Sequence, residues 1–404
     1  MESLTSVLKR LSVKNITYKE GFVQLFISKR LIQGLAAAMF ALFVPIFIYE
    51  TSGHEFWVVG LFYAFLSFLY AGLLVPGMEL TNRIGFSKAL ALSAVFAVGQ
   101  YFTLYFMNAE NIWMLLLILA VFTTGFRIFH WVPYQVDFTS FTDTHTRGRD
   151  VSLMFATIAF MGVIGPLLAA FIITKAGYQM LFIVGMILLC MAAFSYLFVP
   201  AVEQEFTWTY KETITHLFSK KYRNVMVGEM ANGAELVVTL IAWPIFLYEI
   251  VNGNLLEIGL LSTVIVGVTI VIQLLVGKHL DKEGANKIST LRKGSVLYAA
   301  GWIFKMFVLS ATQIFFVGLY HNITKIFIKT PYSAILYDMS AEQGQYIDEF
   351  TVLREISGHV ARAFALLLMV LLTLYLSIEW TFIIGIIASL TINLVYYTNV
   401  KTEG

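Results

Sequence analysis

Long apolar runs dominate the chain, and short polar segments separate them. A membrane-spanning helix needs about 20 mainly apolar residues, and lipid offers no partner to backbone groups, so these runs predict helices. They fall into two sets of six and predict twelve spans. The spans lie near residues 30–49, 56–76, 89–107, 112–134, 151–174, 178–200, 225–248, 255–277, 294–311, 312–337, 350–376 and 379–398.

The composition agrees with a protein whose main solvent is lipid. Of 404 residues, 59% are hydrophobic and only 13% are charged, whereas soluble domains carry roughly 25% charged residues. We therefore expect an all-α membrane protein with the lipid bilayer as its surroundings. The net charge of +2 gives no electrostatic reason to expect nucleic acid as a partner. The single cysteine, Cys190, excludes an intrachain disulfide and a multi-cysteine metal site.

Basic residues gather on one side of the membrane when the loops are assigned alternately to its two sides. The opposite side keeps only Lys175. By the positive-inside rule the crowded side is cytoplasmic, so we expect both termini in the cytoplasm and a multi-pass protein of the cell membrane. We expect it to be a monomer, with its N-terminal segment retained.

The second half of the chain repeats the first. Residues 45–50 read Pro-Ile-Phe-Ile-Tyr-Glu, and residues 244–249 read Pro-Ile-Phe-Leu-Tyr-Glu, at an offset of 199. Segment 82–88 lies over 281–287 in the same register. The matched residues are prolines, glycines, tyrosines and charges rather than leucines, which argues against chance similarity.

Both copies of each repeated segment fall on the same side of the membrane, so the halves are parallel and related by an axis along the membrane normal. We predict an N-terminal six-helix bundle over 1–200, a cytoplasmic linker over 201–224 and a C-terminal six-helix bundle over 225–404.

The loop after the second span of each half resembles the signature of the major facilitator superfamily, which reads roughly Gly-x-x-x-Asp-Arg-x-Gly-Arg-Lys. The resemblance implies two bundles that rock about a central site, with this loop as a gate. In the first copy Asn82 replaces the acid of the signature. The gating candidates in the loops are Asn82, Arg83, Gly85, Asp281, Lys282 and Gly284, alongside Gly277 as a further match. Simple topogenic charge is the alternative for these loops.

Ionisable side chains at membrane depth cost at least about 2.5 to 3.5 kcal/mol, so each needs a cavity, a partner or an interface. In the superfamily the first, fourth, seventh and tenth helices line the cavity, and the resemblance implies that polar residues on them face the substrate path. The candidates for the substrate cavity or for coupling are Gln33, Arg127, His130, Asp137, Glu229, Asn232, Glu235, Lys325 and Lys329.

Arg127 and Lys325 occupy matching positions, so the pseudo-twofold axis predicts that they face each other and suit an anionic group. The alternative is that they neutralise interior carboxylates and leave a nearly neutral cavity. Glu235 is either a proton carrier or the partner of a cavity base. Lys305, on the ninth span, does not fit the cavity scheme and is either snorkelling or functional.

Two further segments carry candidate function. The eleventh span opens with a polar stripe in which Arg354, Glu355 and Arg362 are gating candidates, although an interfacial turn with a Glu355–His359 pair is the alternative. Gly165 and Pro166 resemble part of the antiporter signature of the superfamily, and helix packing explains them equally well.

We expect a secondary active transporter that moves a small organic solute by alternating access, with proton-coupled antiport or efflux as one form. The alternatives are an uptake carrier for an organic anion and, in a different class, a non-transporting membrane sensor or accessory protein. The chain lacks zinc-protease, phosphate-loop and nucleophile-elbow motifs. We therefore expect no enzyme, and no metal or cofactor beyond coupling to a proton gradient.

Overall fold

The computed structural model describes residues 32–141, 147–196, 206–280, 287–341 and 346–396. Their helices follow the predicted spans in order. One helical stretch, Arg147–Tyr196, is divided by Gly177, whose φ of 79° favours glycine, into α5 before it and α6 after it. The others are α1 (Gly34–Phe40 and Phe43–Thr51), α2 (Phe56–Ile84), α3 (Phe86–Phe106), α4 (Ile112–Phe141), α7 (Arg223–Ile250), α8 (Leu255–Leu280), α9 (Lys287–Met306), α10 (Ala311–Ala341), α11 (Ile347–Thr373) and α12 (Ile378–Val395).

Eight of the described helices are long and apolar enough to cross a membrane, or nine if the two pieces of α1 form one span. The shortfall from twelve has a physical basis. Helices α5 and α6 are continuous and appear as one, while α9 and α10 carry interior bases such as Lys305, Lys325 and Lys329. The two helices that fall short on hydropathy therefore both carry lysines inside the protein.

The repeated proline breaks the first helix of each half in the same way. In α1 the two pieces meet at an angle of 40° just before Pro45. In α7 a π-helical turn, Val238–Ala242, comes just before Pro244. Proline has no N–H to donate and its ring clashes with the preceding turn, so each break follows from the sequence.

Two long helix pairs join the halves, since α2 packs along α11 and α5 packs along α8. The repeated glycines Gly60 and Gly259 lie in these two interfaces. A Cβ at Gly60 would strike the Val370 side chain, and a Cβ at Gly259 would strike Ala170 and lie 2.8 Å from the Pro166 carbonyl oxygen. The repeat therefore supplies the small residue that each contact needs.

A short helix, Tyr210–Leu217, lies in the predicted linker. Thr209 caps it, and Glu212 closes a capping box with Thr209. The backbone N–H and the hydroxyl of Thr209 donate to the Glu212 carboxylate and lower its pKa. The segment between the halves is thus locally ordered by its own sequence.

Candidate substrate cavity and gates

A fully buried carboxylate, Glu235 of α7, is surrounded by donors from its own helix and two others. It accepts hydrogen bonds from Lys329 of α10 at 2.8 Å, from Tyr298 of α9 at 2.6 Å and from Thr239 at 2.7 Å. Asn232, one turn earlier, accepts from the same lysine at 2.5 Å. A buried charge is tolerated only when it is paired in this way. We call Glu235 and these partners the Glu235 cluster.

Positive charge exceeds negative charge around Glu235. Lys325 lies one turn before Lys329, and Lys305 comes from α9; both act electrostatically within this group. Neither lysine forms an ion pair with a described residue. The ion pair of Glu235 is with Lys329. One carboxylate therefore interacts electrostatically with three lysines, of which Lys329 is in contact with it.

Lys305 does not snorkel to the membrane surface. It is 3% exposed, and its Nζ lies 4.0 Å from the ring centroid of Trp243 and 4.1 Å from that of Trp302. Indole faces attract a cation electrostatically. The structure thus holds this base inside the protein between two tryptophans.

A second interior ion pair joins α7 to α11. The Arg354 guanidinium approaches Glu229 Oε1 with Nη2 at 2.8 Å and Nε at 2.9 Å. Glu229 was predicted to face the cavity and Arg354 to form a gate. The structure brings the two predictions together in one pair, of which the carboxylate is almost fully buried.

A cluster of polar side chains on α2, α4 and α11 connects the first half of the chain to the second. Arg127 of α4 interacts electrostatically with Arg362 and Glu355 of α11. Tyr70 of α2 donates to Glu355 over a long 3.4 Å. His359 lies 3.7 Å from Glu355, the pairing expected at this spacing, and 2.7 Å from Arg362. We call these five residues the Arg127 cluster.

The remaining cavity candidates have different surroundings. His130 is fully buried, stacks on Phe126 and lies 3.4 Å from the Ser93 hydroxyl of α3, so it packs within the first half. Gln33 accepts from Tyr196 at 3.1 Å. The side chain of Asp137 lies outside the described residues. Arg127 and Lys325 belong to two different groups of charges, and their pairing across the cavity stays a prediction.

Asn82 binds the start of the linker. Its Nδ2 donates to the Phe206 carbonyl at 2.7 Å, and its Oδ1 accepts from the Phe206 N–H at 3.1 Å. Thr207 next to it donates twice to Glu349 of α11, at 2.9 and 2.7 Å. An amide both donates and accepts, as an aspartate cannot, which explains the departure from the superfamily signature here.

The other loop candidates separate into two sets. Gly85 is the single residue between α2 and α3, and its φ of 88° is one that glycine adopts without strain. Arg83 is exposed. Asp281, Lys282 and Gly284 lie outside the described residues, so their role as a gate stays a prediction.

Two reciprocal hydrogen bonds join the halves where α1 and α7 end. Tyr49 donates to Glu249 at 2.6 Å, and Tyr248 donates to Glu50 at 2.8 Å. We call these four residues the Tyr-Glu latch. It lies at the predicted outer end. The repeated Tyr-Glu dipeptide was visible in the sequence, but only as evidence for the repeat.

Gly165 and Pro166 of α5 lie at helix contacts. A Cβ at Gly165 would lie 2.5 Å from the Ala38 Cβ and 3.0 Å from the Met39 backbone nitrogen of α1. Pro166 meets Gly259 of α8. Close packing therefore accounts for both residues.

Two cavities open among these groups. One of about 390 Å³ lies in the first half and is lined by Gln33, Gln100 and aromatic residues including Tyr101 and Trp131. The other, of about 180 Å³, lies between the halves and includes Lys305. The first is uncharged, and the second carries one base.

These features define a multi-pass membrane protein with charged groups inside its second half and one charged group that joins the two halves. A model of the Major Facilitator Superfamily matches residues 30–358, most of the chain. The protein belongs to the Major Facilitator Superfamily. An "Uncharacterized protein YqgE" of Bacillus subtilis (strain 168) is 23% identical over 332 residues, which cover 79% of this chain and 75% of that protein.

Solved structures of transporters share the fold. The crystal structure of a POT family transporter in complex with 5-aminolevulinic acid has a TM-score of 0.64 at 12% identity, covering 93% of this chain and 95% of that chain. That of the nucleoside transporter NupG has a TM-score of 0.63 at 12% identity, covering 92% and 97%. Such identities show the fold alone, and they confirm the predicted all-α architecture of two six-helix bundles. Family and fold together indicate a secondary transporter rather than an enzyme.

Proposed function

We propose that the protein is a secondary active transporter for a small organic anion. The observation that carries this proposal is the excess of buried and half-buried bases over carboxylates in the three interior charged groups. In the three charged groups described above, Glu229, Glu235 and Glu355 are the carboxylates. The bases are Arg127, Lys305, Lys325, Lys329, Arg354 and Arg362.

The expected alternative, internal neutralisation, accounts for only part of this charge. Glu235 matches Lys329, and Glu229 matches Arg354. Glu355 interacts electrostatically with Arg362, Arg354 and Arg127. Lys305 and Lys325 are left without ion pairs among the described residues, and a neutral or cationic solute would leave them unmatched. An organic anion offsets the desolvation of such bases.

Transport in this proposal follows alternating access. The units 1–200 and 225–404 rock about the central groups, with 201–224 as the cytoplasmic linker and both termini in the cytoplasm of a monomer in the cell membrane. The Tyr-Glu latch closes the outer end, while the Asn82 contact with Phe206 ties the linker to the first half. Close packing accounts for Gly165 and Pro166, so they give no separate support to export, and we propose uptake of the anion, coupled to protons.

Counterflow in proteoliposomes tests the proposal. Vesicles preloaded with one unlabelled solute at a time are given its labelled form, using a panel of monocarboxylates, dicarboxylates, organic phosphates, neutral sugars and lipophilic cations. We expect exchange of at least one anion class, accelerated by an inward proton gradient. Lys325→Gln is expected to lower that rate at least tenfold, whereas Lys293→Gln, an exposed site on α9, keeps it.

The outcomes separate the alternatives. Exchange restricted to sugars or cations contradicts the anion proposal while leaving a transporter. Exchange of an anion that is unchanged in both Arg127→Gln and Lys325→Gln contradicts the role of the charge excess. No exchange of any solute, with folded protein, favours the sensor or accessory class.

A further inference from the structure

We propose that the cavity between the halves binds a carboxylate with a small apolar or aromatic body, and that Lys305 holds the carboxylate. This inference deepens the proposed function, because it names a substrate class and a place for it. From the sequence, Lys305 was either snorkelling or functional, because its helix does not line the cavity of the superfamily.

The cavity is bounded by both halves of the protein. Leu42 of α1 and Pro166 of α5 come from the first half, and Trp243 of α7, Leu261 of α8 and Lys305 of α9 come from the second. A ligand in this place contacts elements that move relative to each other when two bundles rock. The position therefore suits a transported ligand better than a static structural one.

The polar groups around Lys305 lack partners. The ammonium lies between Trp243 and Trp302, and it forms no ion pair with any described carboxylate. Within the described residues, Trp302 Nε1 and both ring nitrogens of the adjacent His321 are buried without a hydrogen-bond partner. Buried polar groups are rarely left unpaired. Lys305, which lines the cavity, would complement an anion placed there, with these ring nitrogens close behind it.

The shape and lining of the cavity limit what the anion carries. A cavity of about 150 Å³ holds benzene, so a volume of about 180 Å³ accepts one ring or a short aliphatic chain beside a carboxylate. Away from Lys305 the walls are mostly apolar, with Leu42, Leu247 and Val266 among them. A second carboxylate would be desolvated against these walls. The site therefore selects a monocarboxylate.

Benzoate and benzamide are matched probes, because they share a ring and differ in charge. The full chain in nanodiscs is titrated with each by calorimetry at neutral pH. We expect benzoate to bind at least tenfold more tightly than benzamide. In Lys305→Met, which keeps an apolar stem and removes the charge, this preference is expected to fall to within twofold, whereas Lys293→Gln on the same helix keeps it.

A second variant tests the same site in case Lys305→Met does not fold. Leu42→Phe fills the cavity from the first half and leaves Lys305 in place, and we expect benzoate to bind at least fivefold more weakly. Equal affinity for benzoate and benzamide in the parent overturns the site. Benzoate binding that survives either variant in folded protein overturns it as well.

The failure of this site and of the proposed function are distinguishable. If organic anions exchange in proteoliposomes while Lys305→Met keeps full benzoate affinity, the transporter proposal stands and this site falls. If benzoate binds through Lys305 but no anion of the panel exchanges, the site stands and the transport proposal falls.

Discussion

Tyr49 donates to Glu249 at 2.6 Å, and its repeat counterpart Tyr248 donates to Glu50 at 2.8 Å. The dipeptide that recurs at an offset of 199 thus pairs with its own copy across the axis relating the halves. Because Glu249 is exposed, we assign about 1 kcal/mol to each bond rather than the larger value of a buried charged pair. Two such bonds are enough to bias an equilibrium between a closed and an open outer end.

Loss of the latch is expected to open the outer end. Tyr49→Phe with Tyr248→Phe removes both donors and keeps both rings, and about 2 kcal/mol shifts the closed-to-open equilibrium roughly thirtyfold. The opening of the outer end is measured by the rate at which a membrane-impermeant thiol reagent labels Leu42→Cys in a Cys190→Ser background. We expect labelling to accelerate severalfold. Tyr105→Phe, a half-buried tyrosine of α3, serves as control, and an unchanged rate in the double variant would count against the latch.

The Glu235 cluster is expected to be strongly coupled. Glu235→Gln removes the charge that faces Lys329 at 2.8 Å and leaves buried ammonium groups unmatched, which costs about 3 to 5 kcal/mol. Adding Lys329→Met removes one of those cations, so the double variant is expected to recover at least half of the loss. Thermal unfolding in detergent measures all three proteins. Losses that simply add would contradict the coupling.

Residues that recur in the repeat lie at key points of this arrangement. Pro45 and Pro244 lie at the two helix breaks, and Gly60 and Gly259 lie in the two interfaces between the halves, although the sequence analysis used them only as evidence for the repeat. Such features are predictable because they depend on backbone chemistry: a proline breaks a helix, and a glycine permits close approach, wherever the helix packs.

The partners of the interior charges were not predictable in the same way. Arg354 was expected at a gate, yet it pairs with Glu229, because a guanidinium on α11 reaches α7 only through packing that no spacing encodes. Lys305 did not fit the expected cavity scheme, and only the fold shows that Trp243 and Trp302 surround its ammonium group. Trp302 is one turn from Lys305 on the same helix, but Trp243 lies on α7, far away in sequence, and its approach to Lys305 depends on tertiary structure.

Asn82 is expected to hold the linker through both of its amide groups. Asn82→Asp restores the acid of the superfamily signature but removes the donor to the Phe206 carbonyl, leaving two acceptors facing each other at a cost of about 1 to 3 kcal/mol. We expect trypsin to cleave the linker severalfold faster. Arg83→Gln, at the exposed neighbouring position, controls for a change of charge in the loop. Equal cleavage of Asn82→Asp and the parent would show that Phe206 is held by other contacts.

Gly259 is expected to be intolerant of even one methyl group. A Cβ there would strike Ala170 and lie 2.8 Å from the Pro166 carbonyl oxygen, so Gly259→Ala forces α8 away from α5 at the interface between the halves. Overpacking of this kind costs about 1 to 3 kcal/mol. Gly267→Ala on the same helix is the matched control, because nothing lies within 4 Å of its added Cβ.

The two alanine variants are compared by thermal unfolding and by anion counterflow. Gly259→Ala is expected to lower the unfolding midpoint by a few degrees and to slow exchange, since the α5–α8 pair moves when the bundles rock. Gly267→Ala is expected to match or slightly exceed the parent in stability, because alanine favours the helix by about 1 kcal/mol. If the two variants behave alike, the close α5–α8 contact is not what joins the halves.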